Sequence, residues 1–408
     1  MEREVIVIGA GLAGLAAARE LEAVGCKVTV LEAAAQVGGR VATREVDGMT
    51  IDEGFQVLNP AYPALLAYLD LHELDLQVFP AGLTTQLAGR SFQLSDPRAK
   101  PSALPRLALA KLGSPLAKLR SAWWLYELGM RPGPVAGRFP DVAWVEWARE
   151  AKVPEPMLEA VLEPFLSGVL LEDEGESSAA FVALVLRSMV RGRPGVPAAG
   201  MAALPAAIAR GLRREVRTST PVAELGDRHV LTEGGERLSA DAVVLAAGLR
   251  PGLVVGGDVE ATRSVTTYWH RAPLGSGGDG QLVVDAQRRL LTNSVVISRS
   301  APTYGDGQSE LVASSVLGVS GEEREREVAE RAGELHGIPA TELEPVAITA
   351  VPHALPSMAP PLTLAGTVRM GGIYRCGDHV DTASIQGALV SGRRAARALL
   401  ADLHALGS

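Results

Sequence analysis

Lysine is scarce in this chain. It stands at positions 27, 100, 111, 118 and 152 and nowhere after them, so the basic residues are nearly all arginine. Cysteine occurs twice, as Cys26 and Cys376. Two cysteines so far apart build no disulfide framework, and beside apolar segments they read as small buried hydrophobes. Nothing in this usage calls for an oxidising compartment. An excess of positive charge is missing too: at a net charge of −8 a nucleic-acid partner has no electrostatic support. No run of about twenty apolar residues occurs, which excludes an apolar membrane-spanning helix. The charged Met1-Glu2-Arg3-Glu4 leads straight into a strand without the pattern of a secretory leader, so a cytoplasmic protein is expected. No set of potential metal ligands shows convergent spacing, and the acidic Glu172 to Ser177 stretch reads as a solvated helix entry.

What is present is concentrated in the first forty residues. Val5-Ile6-Val7-Ile8 is an apolar, β-branched run. Gly9-Ala10-Gly11-Leu12-Ala13-Gly14 follows at once, then a helical stretch from Leu15, and then a second apolar run, Val28 to Leu31, that ends on Glu32-Ala33. This is strand, glycine turn, helix, strand and terminal acid. Gly9 permits the tight turn, Gly11 lets backbone approach a pyrophosphate, and Gly14 lets helix and strand pack closely. The helix start offers free N–H groups and a positive dipole end to phosphate. Glu32 stands where a carboxylate accepts from ribose hydroxyls and disfavours a 2′-phosphate, which argues against NADP. A second glycine pair with an arginine, Gly38-Gly39-Arg40, suits a cofactor whose pyrophosphate is gripped from a further side.

From Gly39-Arg40 through Thr43 to Asp52-Glu53-Gly54-Phe55-Gln56 the chain resembles the FAD-dependent family of amine oxidases, phytoene-desaturase-like enzymes and protoporphyrinogen oxidases. A late motif resembles the same family: Gly377-Asp378, then Ser384-Ile385-Gln386-Gly387-Ala388 opening a helix. The resemblance implies FAD as cofactor. It implies that Asp378 holds the ribityl chain, that backbone at Ile385, Gln386 and Gly387 faces the flavin, with Ser384 and Ala388 beside it, and that Gly54, Phe55 and Gln56 lie near the isoalloxazine. It also implies that Val222 meets the adenine through its main chain.

The implied fold class is α/β: a Rossmann-type FAD-binding domain with an inserted α+β substrate domain. The FAD domain is expected to be discontinuous, from 1–60, 193–260 and 345–408. The substrate domain is expected from 61–192 and 261–344, with a helical insertion. Helices are expected from 64 and over 179–191, 203–212 and 322–335, and strands over 216–222, 264–268, 281–285, 294–297 and 311–316. The stretch 104–128, with Trp123, Trp124 and Tyr126, is helical, and Trp144 and Trp147 follow. It reads as domain core, as wall of an apolar pocket, or as a membrane-surface contact. Lys100, Arg106, Lys111, Lys118 and Arg120 interleave with its apolar residues, which suits an interfacial helix, while prolines at 101, 105 and 115 break any single long helix.

In such a fold the flavin carries the redox step and the protein supplies orientation, electrostatics and exclusion of side reactions. No catalytic base stands out. His270, His353 and His379 are candidates by residue type alone, and Gln56 is a candidate pocket residue. Typical amine oxidases of the family carry a lysine late in the substrate-domain strands, and this chain has none there. Their paired aromatic cage is also not evident. The first reading is therefore hydride removal from a largely apolar substrate by a dehydrogenase or desaturase. The alternatives are an amine oxidase that produces hydrogen peroxide and a flavin-dependent isomerase without net redox. The partner is a small apolar or amine molecule. Oligomeric state and electron acceptor are not encoded in any motif.

Overall fold

The computed structural model describes residues 3–87, 90–96, 98–103, 114–130, 139–248, 261–363, 366 and 368–405. Two main sheets organise them. In the first, strand β1 (Glu4–Ile8) lies between β2 (Lys27–Leu31) and Ala242–Leu245, and Ile373–Arg375 pairs beyond the latter, all parallel. The short strand Arg369–Met370 closes that edge antiparallel.

β1 reads as a continuous apolar run because both of its faces are covered. Val5 and Val7 pack toward helix α1 (Leu12–Ala23) and the long helix Ile385–Ala405. Ile6 and Ile8 pack on the other side with Val222, Val230 and Ile373, beneath a three-stranded antiparallel sheet built from Val222–Leu225, His229–Thr232 and Arg237–Ser239.

The second sheet has seven strands, in the order Glu344–Pro356, Thr262–Pro273, Ser309–Leu317, Asn293–Val296, Leu282–Val284, Gly82–Leu87, Arg90–Ser95. Strands therefore occur over or near every expected stretch from 264 to 316. Glu344–Pro356, which the sequence groups with the cofactor domain, hydrogen-bonds along Thr262–Pro273 instead, so this part of 345–408 sits in the second sheet. Its alternating small and β-branched residues pair there with Val265 through Trp269. Helix Glu325–His336 covers the outer face of this sheet through Val328, Ala332 and Leu335.

Two local expectations change. The helix expected from residue 64 is a single 3-10 turn, Leu65–Ala67, followed by a second turn whose start is capped by the Asp70 carboxylate accepting from His72 N–H at 3.0 Å. The strand expected over 216–222 is reduced to a bridge between Arg217 and Leu31, because Ser219 takes a positive φ of 50° and Pro221 lacks a donor.

The helical insertion forms its own apolar cluster from Trp144, Trp147, Leu158, Leu166, Phe181 and Leu186 with neighbours. Glu172, expected in a solvated helix entry, is buried beside it. It accepts from Trp144 Nε1 at 3.0 Å and Ser177 Oγ at 2.8 Å, and it pairs with Arg263 Nη1 at 2.6 Å. A lone acid in an acidic run gives no sign of this; the partner lies 91 residues away on a strand of the second sheet. Among the described residues no helix is long and apolar enough to cross a membrane.

Candidate functional site: a cofactor cradle that opens into an apolar chamber

One cavity of about 1630 Å³ runs from the glycine turn after β1, past the 53–57 loop, to the helical insertion. Its first end is built by the two glycine segments together. Gly38 N–H donates to Ala10 O at 2.9 Å, and Gly11 bridges Gly38. Gly9 has a φ of +99°, and a Cβ on Gly14 would stand 2.0 Å from Gly9 O, so helix and turn meet only because both residues lack side chains. Gly11 differs: a Cβ there would find only Gly38 O, at 3.9 Å. The protein leaves that space open at the start of α1, whose N-cap Gly11 supplies no side-chain hydrogen bond. An unfilled volume bounded by uncapped helix N–H groups is the shape and charge a pyrophosphate requires.

Glu32 lies at the end of β2 and is buried. It accepts from Ala10 N at 2.7 Å and from Ala34 N at 2.8 Å, which fixes both oxygens and leaves lone pairs for a ribose hydroxyl. Val222 and Ala33 line the same end.

In the middle of the cavity Arg40 Nη2 donates to Asp378 Oδ1 at 2.5 Å and Nη1 to Ala354 O at 2.7 Å. Gln56 Nε2 donates to the carbonyls of Arg40 (2.7 Å) and Glu53 (2.8 Å), locking the arginine segment to the 53–57 loop. That loop hangs on hydroxyls of the second sheet: Phe55 N–H donates to Thr267 Oγ1 at 3.1 Å and Gly54 N–H to Thr349 Oγ1 at 3.2 Å. Ser384 caps the helix Ile385–Ala405, its Oγ accepting from Gly387 N–H at 3.0 Å, and Ser384, Ile385 and Ala388 face the cavity.

All the cofactor residues expected from the sequence line this cavity except Gly14, which packs on Gly9, Gly387, which packs on the Thr382 carbonyl, and Gln386, whose Oε1 accepts from Ala64 N–H at 2.9 Å. The histidine candidates separate. His270 is buried on the far side of the second sheet against Glu325 Oε1, at 2.6 Å. His379 is buried with Nδ1 unpartnered and is held down at about 4 by burial. His353 lines the cavity and bonds Thr262 Oγ1 at 2.9 Å.

The sequence did not signal Asp52. It is buried and accepts from Thr43 Oγ1, Met201 N–H and Tyr304 Oη, and burial raises its carboxyl above the usual range. It ties the strand that begins at Thr43 to Met201 and to Tyr304 in the region of the second sheet.

Beyond Phe55 the walls are apolar: Phe79, Leu94, Leu125, Phe165, Phe181 and Leu186 are typical. Four carboxylates line the cavity among the described residues, and each is engaged. Glu32 holds backbone N–H groups, Glu53 pairs with Arg44 at 2.8 Å, Asp96 with Arg98 at 2.6 Å, and Asp378 with Arg40. Helix Pro115–Met130 turns Trp124 and Leu125 inward, while Leu116, Leu119 and Trp123 are exposed on its outer side. It is thus part of the cavity wall. Arg106 and Lys111, which belong to the interfacial pattern, lie outside the described residues.

A Rossmann sheet with an open phosphate cradle, a ribose-side acid and a second helix start aimed at the same space defines a dinucleotide-binding protein whose cofactor faces an apolar chamber. Residues 12–251 match the family model of flavin containing amine oxidoreductases, and the chain belongs to that family. The fit residues described above are those that would hold FAD. The chain is 48% identical over 79 residues to putrescine oxidase of Kocuria rosea, covering 19% of this chain and 16% of that protein. It is 35% identical over 156 residues to the putative flavin-containing monoamine oxidase AofH of Mycobacterium tuberculosis, covering 36% and 32%. The matches thus span less than a third of each curated relative's length. The fold as a whole is similar to putrescine oxidase bound to putrescine (18% identity, TM-score 0.69, covering 98% of this chain and 99% of that one). It is also similar to a putative protoporphyrinogen oxidase from Exiguobacterium (20%, 0.67, 98% and 99%).

Proposed function

We propose that the protein is an FAD-dependent oxidoreductase that removes a hydride from a largely apolar organic substrate, in the manner of a dehydrogenase or desaturase. Bound FAD supplies a hydride acceptor at N5. The chain's own residues do the rest. Gly11 and the start of α1 take the pyrophosphate, Glu32 the adenosine ribose, and Asp378, oriented by Arg40, the ribityl hydroxyls. The Gly54-Phe55-Gln56 loop, fixed by Thr267 and Thr349, sets the distance between flavin and chamber. The apolar walls strip water from the reacting C–H bond and exclude side reactions.

The observation that carries this reading is the apolar lining beyond Phe55: among the described residues the carboxylate that borders the cavity there is Asp96, and it is paired with Arg98 at 2.6 Å, so an ammonium group meets no free counter-charge. The absence of any lysine after position 152 points the same way. A second reading, oxidation of an amine by oxygen, is favoured by the local identity to putrescine oxidase.

One experiment separates them. The FAD-loaded protein is mixed without oxygen with panels of amines and polyenes while the flavin absorbance is followed. Bleaching by an apolar donor, with slow reoxidation by oxygen, supports the first reading. Bleaching by an amine, with hydrogen peroxide formed on admitting oxygen, supports the second. A protein that takes up no FAD refutes both.

A further inference from the structure

Eight large apolar side chains are exposed among the described residues, and four of them, Leu116, Leu119, Trp123 and Tyr126, stand on the single helix Pro115–Met130. Each of the four is more than half exposed. Their spacing of three, four and three residues puts them on one side of the helix, and the Trp123 and Tyr126 rings lie 5.7 Å apart. The other side is already used: Leu128 is buried, Trp124 packs on Trp147 at 4.9 Å, and Trp124 and Leu125 line the cavity. Exposed apolar residues scattered singly are ordinary, but a contiguous stripe marks a surface that is covered in use. Tyr126 also lines the cavity, so the stripe runs up to the edge of the chamber.

The charge around the stripe says what covers it. Between Asp96 and Glu127 the sequence holds six cations, Arg98, Lys100, Arg106, Lys111, Lys118 and Arg120, and no carboxylate, in a chain whose net charge is −8. On the helix itself Arg120 is exposed along one flank of the stripe and Lys118 is half-buried along the other. At physiological salt, charges further off than about 8 Å are screened, so an approaching surface meets this local excess and not the net charge. Two copies of the face would set like charges against each other, because a twofold interface brings the same patch against itself. A surface that is anionic outside and apolar beneath complements both features, and Trp and Tyr suit the boundary between the two layers.

We propose that the outer face of helix Pro115–Met130 docks on an anionic phospholipid bilayer, with Leu116, Leu119 and Trp123 among the upper acyl carbons and Arg120 on the headgroup phosphates. Docking brings the chamber's edge at Tyr126 against the lipid. It needs no hydride transfer, so it stands apart from the function proposed above.

The test uses the FAD-loaded full chain and sedimentation with vesicles of phosphatidylcholine, alone or mixed with an equal part of phosphatidylglycerol. Binding to the mixed vesicles is expected to be about tenfold tighter or more, and to weaken as salt is raised. Leu119→Ser combined with Trp123→Ser should lower it about tenfold or more, and Arg120→Gln about fivefold. Leu274→Ser, at an exposed apolar residue elsewhere, should leave it unchanged. Each variant is first shown to keep the wild-type melting temperature. Where the double variant does not fold, quenching of tryptophan emission by brominated phospholipid in the wild-type protein takes its place, because Trp123 is the exposed one of the five tryptophans. No sedimentation with either vesicle, equal binding to both, binding indifferent to the stripe variants, or absence of quenching overturns the proposal. So does a dimer in solution that the stripe variants dissociate, since a second copy then covers the face.

Discussion

Arg40 and Asp378 stand 338 residues apart in the chain and meet through a hydrogen bond of 2.5 Å between Nη2 and Oδ1. The early glycine-arginine motif and the late glycine-aspartate motif are thus one structural unit. Because the Arg40 side chain is 41% exposed, the pair adds little to global stability, and its role is orientation. Asp378→Asn keeps the shape and removes the charge. It should leave the melting temperature within a degree or two and weaken FAD about tenfold, read by flavin fluorescence on titration. Arg40→Gln should behave alike, and the double variant should be no worse than either single one by more than about threefold.

Gly11 and Gly14 should fail in different ways. A methyl group at Gly14 would press on the Gly9 carbonyl, at 2.0 Å, whereas at Gly11 it enters open space. Gly14→Ala should cost about 1–3 kcal/mol of stability, as overpacking does. Gly11→Ala should unfold at nearly the wild-type denaturant concentration and yet retain little FAD through gel filtration. Equal stability losses for the two would contradict the cradle geometry.

Breaking the buried pair between Glu172 and Arg263 should be severe. Their side chains are 3% and 11% exposed, and Glu172 also receives Trp144 and Ser177. Glu172→Ala leaves an indole N–H and a hydroxyl without their acceptor and leaves the Arg263 guanidinium only its longer carboxylate contact, with Glu176 at 3.3 Å, at a cost of about 3 kcal/mol. The loss should appear first in the helical insertion, as a red-shifted tryptophan emission below the global unfolding temperature.

Stability should fall as the medium is acidified from about pH 6.5 toward 4. Burial holds His336 and His379 down at about 4, below the ordinary histidine value of 6.5. Between those limits the unfolded chain binds protons that the folded chain refuses, so each histidine contributes a loss of about 1 kcal/mol per pH unit. Asp52, whose carboxyl is raised by burial, works in the opposite sense as pH falls through its folded value. Urea titrations at several pH values, repeated for His336→Gln, read the slope; an unchanged slope in that variant would exclude His336 as a source.

The parts legible in the sequence are those where one residue type answers one local demand. Gly9, Gly11, Glu32 and Asp378 are such cases, and their spacing survives because each sits at the end of a strand or the start of a helix. Strand positions in the second sheet were legible through alternation, and helix Ala179–Arg191 has the expected limits. The chamber was not. Its walls come from separate stretches, among them residues 79–83 and 94–96, helix Pro115–Met130 and helix Ala179–Arg191, which only the fold brings together. Glu172 was lost in an acidic run for the same reason: its partners Trp144 and Arg263 are distant in sequence and near in space. The shift of Glu344–Pro356 to the second sheet has a related cause, since an alternating strand does not declare which sheet it joins.

The packing of α1 against the last helix has a consequence for how the protein is made. Leu12, Ala13, Ala16 and Ala17 share a buried cluster with Leu389, Ala395, Ala396 and Leu399, and Gly392 lies against the carbonyl of Ala13. During synthesis the glycine turn and α1 leave the ribosome long before their cover exists. At about 5–20 residues per second, the 338 residues between Arg40 and Asp378 represent roughly 17–70 seconds of translation. Throughout that interval an apolar helix face waits uncovered and the cofactor lacks its second wall. Flavin capture is therefore a late event in biogenesis, set by the emergence of Asp378 and the helix after it and not by the moment the glycine motif appears.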